Sequence, residues 1–154
     1  MKDLSISRIG SIFADALAEV VATTTGFSFD TVQPESGSGF DELIGFIGLN
    51  GNNQGIVFIS ASESTMRIIC SYMTGISENE LKINDLEDGL CELVNMTAGS
   101  AKLRFNSTDQ TYTLSPPFLL HGRDINISTK KRVQFNSWYL GNENISLKLK
   151  LVFY

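Results

Sequence analysis

Two apolar runs, Leu43 to Leu49 and Gly55 to Ser60, stand on either side of Asn50-Gly51-Asn52-Asn53-Gln54. Asn and Gly tolerate positive φ, so this polar link turns the chain back and pairs the two runs as a β-hairpin. Within the second run, Ile56-Val57-Phe58-Ile59 is apolar on both faces. Such a strand needs cover above and below, which puts it in the middle of a sheet. The rest of the chain must therefore supply flanking strands and at least one packed layer.

Helical patterns supply the layer. Ile9, Ile12, Phe13, Ala16, Leu17 and Val20 fall at helical spacing, and Gly26 stands beyond them as a stop signal. This predicts a first helix over about Ser7 to Thr24. A glycine- and serine-rich loop, Glu35-Ser36-Gly37-Ser38-Gly39, follows. After the hairpin, Ser62 can cap a second helix with Glu63 in its first turn; Met66, Ile69, Cys70 and Met73 form its apolar stripe, and Gly75 ends it. A polar linker, Ser77 to Asn84, leads to a third helix over roughly Asp85 to Arg104, with Asp85 read as its N-cap and Glu87 and Asp88 favourable near the positive terminus.

Past Phe105 the pattern turns to strands. Tyr112 to Leu114 precedes Pro116-Pro117, which cannot lie in a central ladder, and Phe118 to Leu120 resumes the strand. Arg132 to Leu140 and Ile145 to Phe153 read as a hairpin around Gly141-Asn142-Glu143-Asn144. In the last strand Ile145, Leu147, Leu149, Leu151 and Phe153 alternate with Ser146, Lys148 and Lys150, so one face meets a core and the other meets water. The order helix, strands, helix, helix, strands predicts an α/β (α+β) fold, a mixed β-sheet with long helices packed on it. No repeat or domain boundary is visible, and residues 1–154 read as one domain.

Several classes of function fall away. No run approaches the ~20 apolar residues of a membrane span. The first residues, Met1 to Ser7, carry an early acid and no hydrophobic signal, so the expected compartment is the cytoplasm; the glycosylation-like Asn126-Ile127-Ser128 and Asn144-Ile145-Ser146 are discounted with it. Cys70 and Cys91 lie inside helical patterns with no Cys-x-x-Cys pair and read as small buried hydrophobes. The single histidine, His121, leaves no zinc constellation and no Cys/His or Ser/His dyad, and nothing places it near Glu92. A net charge of −5 and a lone basic cluster, Lys130-Lys131-Arg132, argue against nucleic acid. Trp138 and Tyr139 point to opposite faces of their strand, so at least one belongs to the core.

The third helix is unusual. On a wheel at ~100° per residue, Leu86, Leu90, Leu93, Val94, Thr97, Ala101 and Phe105 share one face. The opposite face carries Asp88, Glu92, Asn95, Gly99 and Lys102, flanked by Met96 and Leu103. Arg104 lands near the apolar face, which predicts fraying or bending at the helix end. Gly99 sits mid-helix, where glycine costs ~1 kcal/mol relative to alanine. Either it admits another molecule's surface beside Glu92 and Asn95, or it makes room for an element of the same chain. Met96 and Leu103 put apolar area next to a polar pair, as a docking surface does. The spacing Glu92-Leu93-Val94-Asn95 proves nothing alone, because the chain is rich in glutamate and asparagine; on that evidence both are ordinary surface polar residues.

The flanking string changes the weight. Cys91-Glu92-Leu93-Val94-Asn95-Met96-Thr97-Ala98-Gly99-Ser100-Ala101-Lys102-Leu103 resembles the catalytic helix of the CheC/CheX family of chemotaxis phosphatases. Leu114-Ser115-Pro116-Pro117-Phe118-Leu119-Leu120-His121-Gly122-Arg123-Asp124 is similar to the Pro-Pro segment that follows it in the CheX branch. Ile44 to Gly51 with Gln54-Gly55-Ile56-Val57 looks like the family's central hairpin, and the likeness runs in register over nearly the whole chain. The CheC branch carries two copies of the motif. Here the first helix offers Glu19 but Ala22 three residues on, so the likeness is to single-motif CheX.

The resemblance implies removal of phosphate from the phospho-aspartate of a CheY-like receiver domain, with Glu92 and Asn95 as the catalytic pair and Asp88, Met96, Gly99, Lys102 and Leu103 around them meeting the partner. It implies a homodimer, no cofactor of the protein's own, and a Mg²⁺ held by the receiver. The rival reading is a receiver-binding or flagellar-switch module with the same docking helix but little hydrolysis. A small-ligand sensor with a pocket over the sheet is more distant, since no cluster of polar residues marks such a pocket.

Overall fold

The computed structural model describes residues 5–37, 39–105, 111–129 and 132–154. Helix α1 (Ile6–Thr25) leads to a short strand β1 (Thr31–Pro34), the hairpin β2 (Leu43–Gly51) and β3 (Gly55–Ala61), and helices α2 (Glu63–Thr74) and α3 (Ile83–Phe105). Strands β4 (Tyr112–Leu114), β5 (Phe118–His121), β6 (Gln134–Gly141) and β7 (Ser146–Phe153) follow. They make one seven-stranded sheet in the order β1-β6-β7-β3-β2-β4, with β5 also on β2.

The α/β class, with helices packed on a sheet, is as expected. Strand direction needs a correction: every described pairing is antiparallel, so the sheet is not mixed. A mixed sheet requires at least one parallel neighbour, but β7 inserts between β6 and β3 and keeps each pair antiparallel.

The helices cover one sheet face. Leu43, Ile47 and Leu49 of β2, Val57 and Ile59 of β3, and Leu147, Leu149 and Leu151 of β7 point into the core beneath them, each a fully buried side chain worth roughly 1.5–3 kcal/mol. On the other face Ile44, Phe58 and Val152 form a smaller cluster under Phe40, Ile125 and Val133. The alternation in β7 is therefore covered in part on its second side. Trp138 packs on the main core and Tyr139 is half-buried on the opposite face.

The helix ends follow their local chemistry. Gly26 and Gly75 cap α1 and α2 in the left-handed region, with φ of 78° and 74°. Ser62 accepts from the Thr65 N–H at the start of α2. Asp85 is not an N-cap: α3 begins two residues earlier, and the Asp85 carboxylate accepts from the Lys82 N–H at 2.7 Å. That is the reach-back half of a capping box, made from the third helical position.

Strand β1 is an element the sequence pattern did not announce. It holds one aliphatic residue, Val32, and ends in Pro34, which a sheet tolerates at an edge. At the other edge the Pro116-Pro117 break divides β4 from β5 as expected, and Ser115 bridges it. Its N–H donates to the Gly48 carbonyl at 3.0 Å, and its hydroxyl accepts from the Gly48 N–H at 2.8 Å. Of the basic cluster at 130–132, only Arg132 lies among the described residues, and it is exposed.

Candidate functional site

Helix α3 is wedged between α1, α2 and strand β2, and two glycines fix how closely it sits. A Cβ at Gly45 of β2 would stand 2.7 Å from Val94 Cγ2 and 3.1 Å from Leu90 Cγ, so the helix lies directly on the strand backbone. A Cβ at Gly89 would overlap the Cys70 thiol of α2. At the far end Phe105 packs against Phe13 and Tyr112, with ring centroids 5.9 and 5.4 Å away. Leu86, Leu90, Leu93, Val94, Thr97, Ala101 and Phe105 are all buried, as the wheel requires.

With that face seated, the opposite one is presented outward. Asp88, Glu92, Asn95 and Lys102 are exposed, and Gly99 is half-exposed in the middle of the stripe. Met96 is 36% exposed and Leu103 71%. Among the described residues nothing lies within 4 Å of a Cβ built on Gly99, so no described element of this chain uses the space it leaves. All seven residues singled out from the sequence thus share one accessible surface. Cys91, behind them, is half-buried, and burial raises its thiol, with Asp88 and Glu87 adding.

An ion pair and a side-chain hydrogen bond tie the helix to its neighbours. The helix runs through Arg104 to Phe105, and Arg104 reaches across to Glu19 of α1. His121 Nδ1 lies 3.1 Å from Glu87 Oε1, joining β5 to α3. The sequence read Glu87 only as first-turn charge. The pairing of His121 with Leu43 is what carries the imidazole to the helix side, and no local pattern encodes that register.

Among the described residues no group of three or more His, Cys, Asp or Glu could hold a metal ion, and no helix is long and apolar enough to cross a membrane. Three hollows of about 450, 360 and 400 Å³ lie near the start of α1 and over the far sheet face; none is lined by an α3 residue. The chemistry available on α3 is that of an exposed carboxylate and a carboxamide one helical turn apart. This pair can dock on another molecule and orient a water there, with no cavity of its own.

The model of the family described as chemotaxis phosphatase CheX matches residues 43–139. A CheY-P phosphatase CheX from Thermotoga maritima is 25% identical over 127 residues, covering 80% of this chain and 81% of that protein. Among solved structures, a CheC-like superfamily protein from Shewanella sp. PV-4 has a TM-score of 0.83 at 19% identity, over 98% of this chain and 99% of the other. The CheX–CheY–BeF3–Mg²⁺ complex from Borrelia burgdorferi has a TM-score of 0.75 at 16% identity, over 93% and 96%. The structural likenesses establish a shared fold, and the family match takes in β2, β3, all of α3 and the Pro-Pro break within well over half the sequence; the chain belongs to the CheX family of chemotaxis phosphatases.

Proposed function

We propose that this protein hydrolyses the phospho-aspartate of a CheY-like receiver domain by placing α3 in the receiver's active site. The observation that carries this reading is the joint exposure of Glu92 and Asn95 on a helix rigidly seated by its other face. Phosphoryl transfer needs mainly positioning and charge stabilisation. The receiver brings the Mg²⁺, its acidic ligands and a lysine. The water is what this chain places.

Asn95 suits that task. Its carbonyl accepts a hydrogen bond from the water, and its NH₂ donates toward a phosphoryl oxygen. It brings no negative charge against the anionic group, which a carboxylate would. Glu92, one turn earlier, pairs with the receiver's lysine and fixes the docking register. Asp88, Met96, Gly99, Lys102 and Leu103 form the surrounding contact. The whole chain works as one cytoplasmic domain without a cofactor of its own. The protein is a homodimer; β5 at a sheet edge, with Phe118 53% and Leu120 38% exposed, supports a second copy pairing there. Sedimentation at tens of micromolar should give twice the chain mass, and a monomer would refute the dimer.

The decisive experiment follows phosphate release from a phosphorylated receiver and measures binding separately with a beryllofluoride-loaded receiver. Asn95→Ala should lower the catalysed rate by ~10² or more with little change in binding, as loss of one preorganised polar group does elsewhere. Glu92→Ala should weaken binding and rate together, because its contact exists before and during the reaction. Asn95→Asp should also be slow despite its shape. A full rate in Asn95→Ala would put the non-catalytic receiver-binding module ahead.

A further inference from the structure

Three glycines lie inside helices, and two of them are explained by the chain itself. Gly10 of α1 has the Asn136 amide and the Trp138 indole where a Cβ would go, and Gly89 of α3 has the Cys70 thiol there. Among the described residues Gly99 has nothing within 4 Å of where its Cβ would stand. A glycine in a helix interior costs ~1 kcal/mol relative to alanine. At Gly10 and Gly89 close packing offsets that cost. At Gly99 no contact with a described residue does.

The neighbours of Gly99 define what the space is for. On a helix surface a residue is ringed by those three and four positions away. For Gly99 these are Asn95, Met96, Lys102 and Leu103, of which all four are exposed. Together they make a hole with backbone for a floor, Met96 and Leu103 for an apolar wall, and Asn95 and Lys102 for a polar one. Such a hole accepts one protruding side chain of a facing surface, as in helix packing.

We infer that Gly99 sets the depth at which the receiver seats on α3: an apolar side chain on the rim of the receiver's active site enters the hole and rests on the Gly99 backbone. This rests on the phosphatase reading above and deepens it. Asn95 is itself a wall of the hole, so the depth of the knob and the reach of the amide are the same distance. A Cβ at position 99 raises the floor by about 1.5 Å, one carbon–carbon bond. It withdraws the Asn95 amide from the phosphoryl group by a comparable amount, and a displacement of ~1 Å can cost ~10² in rate.

The role of Gly99 is positioning, and its test separates it from a structural one. Gly99→Ala gains helix propensity with no clash in the free protein, so its thermal midpoint should rise by about 2–4 °C. Its turnover at saturating phosphorylated receiver should fall by at least ~10-fold, with a smaller loss of affinity for the beryllofluoride-loaded receiver. Gly99→Leu fills the hole and should abolish docking while the free protein stays folded by circular dichroism. Two outcomes overturn the inference: Gly99→Ala turning over at the full rate, or Gly99→Ala losing thermal stability along with rate. Asn95→Ala is assayed beside them. If it keeps the full rate, the phosphatase reading itself fails. If it is slow while Gly99→Ala is fast, only the depth role fails.

Discussion

The Thr97 hydroxyl should be a liability to the fold, and replacing it with a methyl should stabilise the protein. Thr97 is fully buried on the core side of α3, and its Oγ1 is the sole buried side-chain polar atom without a hydrogen-bond partner among the described residues. Threonines in the other helices show the usual remedy. Thr24, Thr25 and Thr74 each donate to the carbonyl four residues back, at 2.6, 2.7 and 2.7 Å. Thr97 makes no such bond. A buried polar group left unpaired costs ~1–3 kcal/mol. Valine has nearly the same shape and a similar helix propensity, so Thr97→Val removes that cost without opening a cavity. The expected gain is about 1–2 kcal/mol, a rise of roughly 2–8 °C in melting temperature for a chain of this size. Urea unfolding should show a higher midpoint with an unchanged slope. Thr97→Ser provides the opposite arm: it keeps the hydroxyl and deletes the methyl, and should lose about 1 kcal/mol. A Thr97→Val protein less stable than the parent would refute the reasoning and point to a buried water bonded to the hydroxyl.

Three further outcomes follow from the packing and the titrating groups. In a Cys70→Ala background Gly89→Ala should be stabilising, whereas in the parent it should be destabilising, because a Cβ there overlaps the Cys70 thiol; urea midpoints of the four proteins should give a coupling of at least ~1 kcal/mol, and additivity would contradict the contact. Burial pushes the Cys70 thiol up to about 11, with Asp85 adding, so at pH 8 it should resist maleimide until the protein unfolds. Cys91, half-buried, should label first, and equal labelling of both in the native state would count against this packing. Burial, helped by Lys148 and opposed by Glu35, holds the Lys150 ammonium below the ordinary lysine value of 10.5. Between its folded value and 10.5 the unfolded chain binds the extra proton, so stability should rise with pH across that window. Lys150→Met should remove that part of the rise; parallel urea midpoints for the two proteins up to pH 10.5 would disprove it.

The elements with strong local signals could be read from the sequence because one physical cause dominated each. Leu147, Leu149 and Leu151 alternate because β7 has a core face, and the stripe Leu86-Leu90-Leu93-Val94-Ala101 lies on one side of α3 because that helix packs on one surface. The exposed stripe through Glu92, Asn95 and Gly99 is the complement of that packing and became legible with it. What the sequence hid was set by partners distant in the chain. Thr31–Pro34 is a strand only because β6 pairs with it. Arg104 looked misplaced on the wheel until Glu19 of α1 came alongside, and Glu87 gained its partner only through the register of β5 on β2. The start of α3 was misread by two residues because a carboxylate at the third helical position and one at the cap satisfy similar backbone groups.

The strand order has a consequence for how the chain is made. Strand β7, the last described, lies inside the sheet between β3 and β6, while β2 and β3 pair before residue 62. During synthesis β3 therefore waits with one bare edge, and an apolar face on either side of it, until residues 146–153 emerge. Every helix has been translated by then, so early compaction around the β2–β3 hairpin leaves a sticky intermediate of a kind that aggregates or engages chaperones. A nascent chain stalled before Ser146 lacks β7's bridge between the β1–β6 and β2–β3 halves, and it should be cleared by proteolysis as two unjoined pieces of sheet.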